Sequence, residues 1–287
     1  MAVRADDGTT GETIAELIER RFGLECAAGR EQPAEGTQAL LLRHRTHRRF
    51  TEAPVDEALL EAVLACGLSA PSKSDLQQAS IIRVEDPERR AALAALVPDM
   101  PWVAGCPVFL VLCGDSRRIR RICELRGRPF ANDHLDAVLN AASDAALVLG
   151  GLIAAAEAAG LGACPISVLR NRIERVIEIL ELPAHVFPLA GLCLGWPASA
   201  GHLSMRLPPR LTVHRDRYDD SNLAAEIDAY DRRRDAVYSI PPEKQRRRER
   251  YGIAAFYGWS EDKARQVSLR ERGQLAAVLR RQGFRFD

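Results

Sequence analysis

The amino-acid sequence predicts an α/β or α+β protein in which helices cover both faces of a sheet. Two runs of β-branched and apolar residues have strand length, "ASIIRV" at 79–84 and "PVFLVLCGD" at 107–115, and a helical pattern lies between them. Residues 133–160 are rich in alanine and have the pattern of a long buried helix. Because strands and helices alternate along the chain, the sheet is expected to lie between helices.

The elements before the first strand are predicted to be helical. "TIAELIERRF" begins with Thr13 as N-cap, and Glu16 follows three residues later, which is the pattern of a capping box. "AAGREQPAEG" then interrupts the helical pattern. "TQALLLRHRTHRRF" predicts a helix that continues into a basic cluster, and "VDEALLEAVLACGLSA" predicts the next helix, with acids at its beginning.

The long helix at 133–160 is interpreted as a central strut whose small residues allow other helices to approach closely. Asp136, Asp144 and Glu157 interrupt it too often for a membrane span, which needs about 20 mainly apolar residues. The elements that follow it are a short strand, a helix and an apolar strand, namely "LGACPI", "SVLRNRIERVIEIL" and "FPLAGLCLGWP".

The sequence after residue 200 changes character. It is poor in apolar residues, rich in arginine and broken by adjacent prolines, which predicts an excursion across a surface. Helical periodicity returns only near the C-terminus, with Ser260 as the expected cap. We therefore predict an N-terminal helical extension at 1–35, a core at 36–215, and a C-terminal excursion and helix at 216–287.

Composition narrows the class of protein. The 40 basic and 39 acidic residues nearly balance, which argues against bulk nucleic acid as the main partner. The cysteines are odd in number and scattered, and the N-terminus carries acids instead of an apolar run, so we expect a cytoplasmic protein with reduced thiols. There is no CxxC pair, and the single HxxH, His44 with His47, has no matching second pair, so no metal site is predicted.

Two polar segments are candidates for ligand binding. "RHRTHRRF" at 43–50 could bind phosphate through charge-assisted hydrogen bonds, or could be a solvated basic face. "SAPSKSDLQQASII" at 69–82 could contact the polar edge of a ligand, or could be an ordinary turn. The basic segments "RHRTHRR" and "KQRRRER" also leave open a nucleic-acid-binding protein, although aromatic residues are not interleaved with them.

The order of four blocks resembles the FMN-dependent nitroreductase superfamily, in its branch of NADPH-preferring nitroreductases and flavin reductases. The blocks are "HRTHRRFTEAPV", "APSKSDLQ", "AAAEAAGLGACPISVLRNRIERVIEILELPAHVFPLAGLCLGWP" and "MRLP". The resemblance implies an α+β, nitroreductase-like mixed sheet flanked by helices, with a long C-terminal excursion. It also implies a flavin at the interface of a homodimer. From the composition and the long helix described above, we expect neither a nucleic-acid nor a membrane partner.

The resemblance further implies an activity. The expected enzyme is an FMN-dependent NAD(P)H oxidoreductase that reduces nitroaromatics, quinones or flavins by two-electron, ping-pong transfer. Its partners would be small flat electron acceptors, and NADPH or NADH would be the electron donor. This chemistry needs no nucleophile and no dedicated base, which agrees with a sequence that has no Ser-His-Asp or Cys-His signature.

Site residues follow from the resemblance position by position. The family's phosphate and ribityl segment is matched by His44, Arg45, Thr46 and Arg48, to which the resemblance adds Arg206. Arg48 is placed near the N1 and O2 edge of the isoalloxazine, where it is the expected catalytic residue. The loop that approaches the flavin from the other subunit is matched by Ser72, Lys73, Ser74 and Gln77. The strand end beside flavin N5 is matched by Pro165, Ile166, Ser167 and Val168.

The chain also departs from the family pattern. Ser204 stands where a phosphate-binding lysine is usual, Ser167 and Val168 replace glycines, Pro165 replaces an aromatic residue, and Met100 replaces a polar flavin contact. An unusual acceptor site is therefore expected, and a catalytically degenerate flavin-binding protein remains an alternative. Cys164 is expected to be buried.

The excursion has a set of basic residues that could recognise the NADPH 2′-phosphate or could be a solvated linker: Arg232, Arg233, Arg234, Lys244, Arg246, Arg247, Arg248 and Arg250.

Overall fold

The computed structural model describes residues 11–287 and contains a four-stranded sheet. Its strands are β1 (Ala79–Arg83), β2 (Val108–Asp115), β3 (Gly162–Ile166) and β4 (Val186–Gly195). Their order is β1-β2-β4-β3, and all neighbours are antiparallel. An isolated parallel bridge joins Thr46 to Ala163 at the β3 edge. The strands predicted from the sequence are confirmed.

Helices make up most of the remaining regular structure. They are α1 (Ile14–Phe22), α2 (Gly36–Arg43), α3 (Glu57–Leu68), α4 (Pro87–Ala95), α5 (Trp102–Gly105), α6 (Arg117–Leu125), α7 (Leu135–Ala158), α8 (Ile173–Ile179), α9 (Leu223–Val237), α10 (Arg248–Tyr251), α11 (Trp259–Val267) and α12 (Leu275–Arg281). Short 3₁₀ turns lie at Lys73–Asp75, Ser167–Arg172, Pro209–Leu211 and Pro242–Lys244.

The described residues form two compact units. The core unit comprises residues 44–202 and 272–287 and contains the whole sheet. The second unit comprises residues 11–43 and 203–271 and contains α1, α2 and α9 to α11. The three-part organisation with boundaries at residues 35 and 215 remains a proposal.

Both faces of the sheet are covered by helices of the core unit. Successive side chains of a strand point to opposite faces, so Phe109 and Val111 pack into one apolar cluster and Leu110 and Leu112 into the other. Residues of α4, α5 and α8 join the first cluster, whereas α3 and α7 supply the second. The central strands β2 and β4 are therefore almost wholly buried, as their continuous apolar runs predict, whereas most residues of the edge strand β1 are half-buried.

Helix α7 is the predicted central strut. Gly67 of α3 lies against it so closely that an added Cβ would come 2.5 Å from Leu152 Cγ, and a Cβ on Gly151 would come 3.2 Å from Gly67 Cα. The expected close approach of another helix is thus confirmed. By length and composition α7 could cross a membrane, but its buried face packs on the sheet as a core helix does.

The N-terminal helix begins as predicted. The Glu16 amide donates to Thr13 Oγ1 at 3.3 Å, and the Thr13 amide donates to Glu16 Oε2 at 2.7 Å, which completes the capping box. Helix α2 ends at Arg43 and therefore does not continue through the basic cluster. The residues from His44 onward are extended and belong to the core unit.

Three features of the C-terminal part differ from what the sequence predicted. The arginine-rich stretch contains α9, a 15-residue helix that buries Tyr230, whose hydroxyl donates to the Met205 carbonyl at 2.9 Å. Ser260 does not cap a helix, because it lies inside α11 and its amide and hydroxyl both donate to the carboxylate of Asp231. The predicted final helix is also interrupted between α11 and α12.

Candidate functional site

The basic segment after α2 runs along the outer edge of β3. The His47 amide donates to the Ala163 carbonyl at 3.0 Å, next to the parallel bridge at Thr46. A second bridge pairs Phe50 with Pro197, beyond the end of β4. The core unit therefore brings together two of the segments predicted to bind flavin, His44–Arg48 and the strand end that begins at Pro165.

His44 is held by a carboxylate that the sequence did not identify as functional. Its Nδ1 lies 2.7 Å from Glu157 Oε1, and the Glu157 side chain, near the end of α7, is only 11% exposed. A carboxylate at Nδ1 fixes the orientation of the imidazole ring. The only signal in the sequence was an isolated glutamate at the end of an alanine-rich helix.

Arg45 has an unmet hydrogen-bonding capacity. Its Nη1 donates to the Ala200 carbonyl at 3.3 Å, but its buried Nε has no hydrogen-bond partner among the residues that the structure describes. Buried donors are nearly always paired in folded proteins, so an unpaired one points to a ligand. The donors of His44 and Arg45 have the chemistry that a phosphate group requires, and the residues present therefore fit FMN at this edge.

Arg48 extends beyond this cluster and is exposed. Its guanidinium carbon lies 5.8 Å from the centre of the Trp102 ring. Burial raises the pKa of the neighbouring Cys164 thiol, and the positive charge of Arg48 opposes that rise. Cys164 is 2% exposed, so the prediction that it is buried is confirmed. Burial also lowers the pKa of His47, which therefore favours its neutral form.

The strand end after Cys164 alternates between surface and core. Pro165 and Ser167 are exposed, whereas Ile166 is buried, and Val168 packs partly against the core. Proline is tolerated because β3 is an edge strand among the four named strands. Met100 also packs against this apolar cluster.

The loop at Ser72–Gln77 is attached to another part of α7. The amides of Lys73 and Gln78 donate to the carboxylate of Asp144, whereas Glu157 binds His44 thirteen residues further along the helix. At 1.5 Å per residue this separation is about 20 Å. One chain therefore does not place this loop beside His44, although both segments were predicted to contact the flavin.

Arg206 belongs to the second unit, so its predicted grouping with His44 and Arg45 stays a prediction. Its side chain is exposed, and its amide donates to the Arg21 carbonyl at 2.7 Å. Within this unit burial raises the pKa of Tyr230, and the positive charges of Arg234, Arg206 and Arg233 oppose that rise. The Nε and Nη2 of Arg233 are buried without a partner among the described residues, a feature that the sequence could not reveal.

The basic residues of the excursion are more ordered than the sequence predicted. Arg232, Arg233 and Arg234 lie in α9 and not in a loop. The next arginine run follows Gln245, which is buried and exchanges two side-chain hydrogen bonds with the backbone of Ala254, at 3.0 and 2.9 Å. These two bonds close the segment that contains Arg246, Arg247 and Arg248, which is therefore more ordered than a solvated linker.

Among residues 11–287 no group of three or more His, Cys, Asp or Glu is placed to hold a metal ion.

The sequence pattern of the nitroreductase family matches residues 41–196, and that of the nitroreductase family C-terminal domain matches residues 204–287. The chain belongs to the nitroreductase family.

Relatives of this nitroreductase agree with the assignment. FMN reductase [NAD(P)H] of Bacillus subtilis is 34% identical over 251 residues, which cover 86% of this chain and 97% of the relative. Oxygen-insensitive NADPH nitroreductase of Salmonella typhimurium is 42% identical over 194 residues, covering 67% and 79%. The structure of NADPH:FMN oxidoreductase from Vibrio harveyi complexed with NAD+ superposes with a TM-score of 0.75 at 31% identity, covering 86% and 97%. The predicted family and fold class are confirmed.

Proposed function

We propose that this nitroreductase is an NAD(P)H-dependent FMN oxidoreductase that reduces nitroaromatics, quinones or flavins by two-electron, ping-pong transfer. The observation that carries the proposal is the donor cluster beside β3, where Arg45 has a buried donor without a partner. The names of the relatives, which include FMN reductases and an NADPH nitroreductase, support the same activity.

The residues of the site have separate tasks in this proposal. FMN, when bound, supplies a ring that accepts two electrons from a nicotinamide and passes them to an acceptor. His44, oriented by Glu157, and Arg45 bind the phosphate. Arg48 provides positive charge for the ring edge at N1 and O2, where negative charge develops on reduction. Thr46 and the backbone at Pro165–Val168 border the cofactor.

We also propose a homodimer in which the loop at Ser72–Gln77 completes the site of the partner. The 20 Å separation along α7 supports this, because one chain places the loop and His44 far apart. The exposed face of α7 supports it too, since it presents apolar and small side chains for a second copy. These residues are Leu135, Leu139, Ser143, Ala146, Leu147 and Gly150. The free, mostly buried cysteines fit a cytoplasmic protein.

The cofactor proposal has a direct test. The purified protein should be yellow, and heat denaturation should release FMN that chromatography identifies, because the cofactor is held by noncovalent contacts alone. His44→Ala with Arg45→Ala should weaken FMN binding by at least about tenfold, since each loses a hydrogen bond to a charged phosphate. Reconstituted wild-type protein with neither a flavin spectrum nor FMN affinity would refute the proposed function.

The dimer has its own test. The double variant Leu139→Glu with Leu147→Glu places two charges on the proposed interface. Light scattering should then report a monomer, and its absorbance spectrum should show that FMN is no longer bound. The matched control is Leu125→Glu, at a residue of α6 that is 78% exposed and outside the proposed face. A wild-type monomer that binds FMN tightly would contradict the dimeric site.

A further inference from the structure

Asp144 is a buried carboxylate near the middle of α7, with only 1% of its surface exposed. A carboxylate taken out of water is costly unless hydrogen bonds compensate it. Its compensation comes from two backbone amides outside the helix: Lys73 donates to Oδ1 and Gln78 donates to Oδ2, each at 2.8 Å. The two oxygens of one side chain thus hold the two ends of one loop.

The loop that Asp144 holds has an unfavourable backbone. Ser74, Asp75 and Gln77 have φ angles of 51°, 56° and 51°, in the left-handed region that residues other than glycine seldom adopt. Such conformations persist when the surroundings impose them, and they cluster at ligand-binding sites. On the far side, the Asp115 amide donates to the Gln78 carbonyl at 2.9 Å, so the loop is also fixed to the sheet.

Anchoring the backbone inward leaves the side chains facing outward. Lys73, Ser74 and Gln77 are exposed, whereas the neighbouring Gln78 is buried. The exposed residues are those expected to contact flavin in the partner subunit. We propose that Asp144 is a positioning residue of the flavin site, which fixes this loop in the conformation that presents Ser74 and Gln77 to FMN. This inference rests on the proposed function.

The chemistry of a carboxylate makes the proposal specific. Both oxygens of aspartate accept hydrogen bonds, whereas asparagine has one acceptor oxygen and one NH₂ group. Asp144→Asn keeps the size of the side chain but places its NH₂ group opposite one of the two backbone amides. Two donors face each other there, so that hydrogen bond is lost. The loop should then lose one anchor while the helix remains intact.

The experiment compares Asp144→Asn with Glu178→Gln in the full-length protein. Glu178 lies on α8 of the core unit, is exposed, and pairs with Arg175 on the same helix. Hydrogen exchange of the Lys73 and Gln78 amides, FMN affinity by fluorescence titration, and the flavin midpoint potential are measured. We expect faster exchange at the amide that loses its acceptor and about tenfold or greater weakening of FMN binding in Asp144→Asn. In Glu178→Gln all three should match the wild type.

A second pair of variants tests the loop without changing the helix. Lys73→Pro removes the amide donor, and the backbone accepts it because Lys73 opens a 3₁₀ turn and Ser72 before it is extended at φ −129° and ψ 156°. Lys73→Ala loses the same side chain but keeps the amide. We expect Lys73→Pro to bind FMN more weakly than Lys73→Ala, by a factor similar to that for Asp144→Asn.

The outcomes separate this inference from the proposed function. If the amides exchange faster while FMN affinity and midpoint potential stay at wild-type values, Asp144 supports only the fold and the positioning role is overturned. Equal FMN affinity in Lys73→Pro and Lys73→Ala overturns it as well, even if Asp144→Asn fails to fold. Wild-type protein that does not bind FMN refutes the proposed function together with this role.

Discussion

Flavin reduction by NADPH should be about 10 to 150 times slower in Arg48→Ala than in the wild type. Arg48 is expected at the ring edge where negative charge develops, and a hydrogen bond to a charged group contributes about 1.5–3 kcal/mol. Each 1.36 kcal/mol of barrier is about tenfold in rate. Because Arg48 is exposed, its removal should leave folding stability nearly unchanged. Stopped-flow loss of flavin absorbance measures the rate, and a redox titration measures the midpoint potential, which should become more negative.

The matched control for this prediction is Arg49→Ala. Arg49 is the next residue, is also exposed, and accepts a hydrogen bond at its backbone carbonyl from the Ala198 amide at 3.0 Å, a contact that alanine preserves. Arg49→Ala should reduce its flavin at the wild-type rate. An Arg48→Ala protein whose reduction rate and midpoint potential both equal those of the wild type would exclude the catalytic role of Arg48.

The Michaelis constant for NADPH should rise by about tenfold or more when Arg246, Arg247 and Arg248 are all changed to glutamate, and that for NADH should change little. NADPH differs from NADH by its 2′-phosphate, which arginines bind through forked, charge-assisted hydrogen bonds worth about 1.5–3 kcal/mol. In the wild type the preference for NADPH should shrink as salt screens these charges. Steady-state kinetics with both donors measures the effect.

The structure refines the design of this experiment. Arg246 Nε lies 3.2 Å from Asp262 Oδ1, so a glutamate at 246 would also repel a carboxylate within the second unit. Arg247→Glu with Arg248→Glu is therefore the cleaner variant, and Arg270→Glu, at an exposed arginine of the same unit, is the control. Equal losses for NADPH and NADH, or no loss for either, would mean that this segment does not recognise the 2′-phosphate.

The sequence predicted those elements whose local pattern and packing agree. The apolar run of β2 needs burial on both faces, and Thr13 with Glu16 specifies a helix start without help from distant residues. The prediction of Ser260 as a helix cap was wrong because its hydroxyl donates to Asp231, 29 residues away. A contact so distant in sequence leaves no local pattern. Helix α9 was missed because charged residues dominate its surface and few apolar positions mark its buried face.

The residues of the candidate site also differ in whether the sequence could identify them. Residues with a family motif, such as His44 and Arg48, could be named from the sequence, although their roles remain predictions. Glu157 and Asp144 could not, because a lone acid in an alanine-rich helix has no motif, and its importance depends on which backbone or side chain the fold brings to it. The buried donors of Arg233 likewise become visible only when its surroundings are known.

The buried guanidinium of Arg21 joins the N-terminal helices to a residue that is translated much later. Its Nε and Nη2 donate to the Leu42 carbonyl, at 3.0 and 2.7 Å, and its Nη1 donates to the Ser204 carbonyl at 2.9 Å. On the ribosome, α1 emerges long before residue 204 has been translated. The bonds to Leu42 can form early, but the bond to Ser204 can form only after the whole sheet has been synthesised, and contacts of such sequence separation slow folding. A nascent chain released before residue 204 would contain every strand but would lack the carbonyl that completes this arginine's burial.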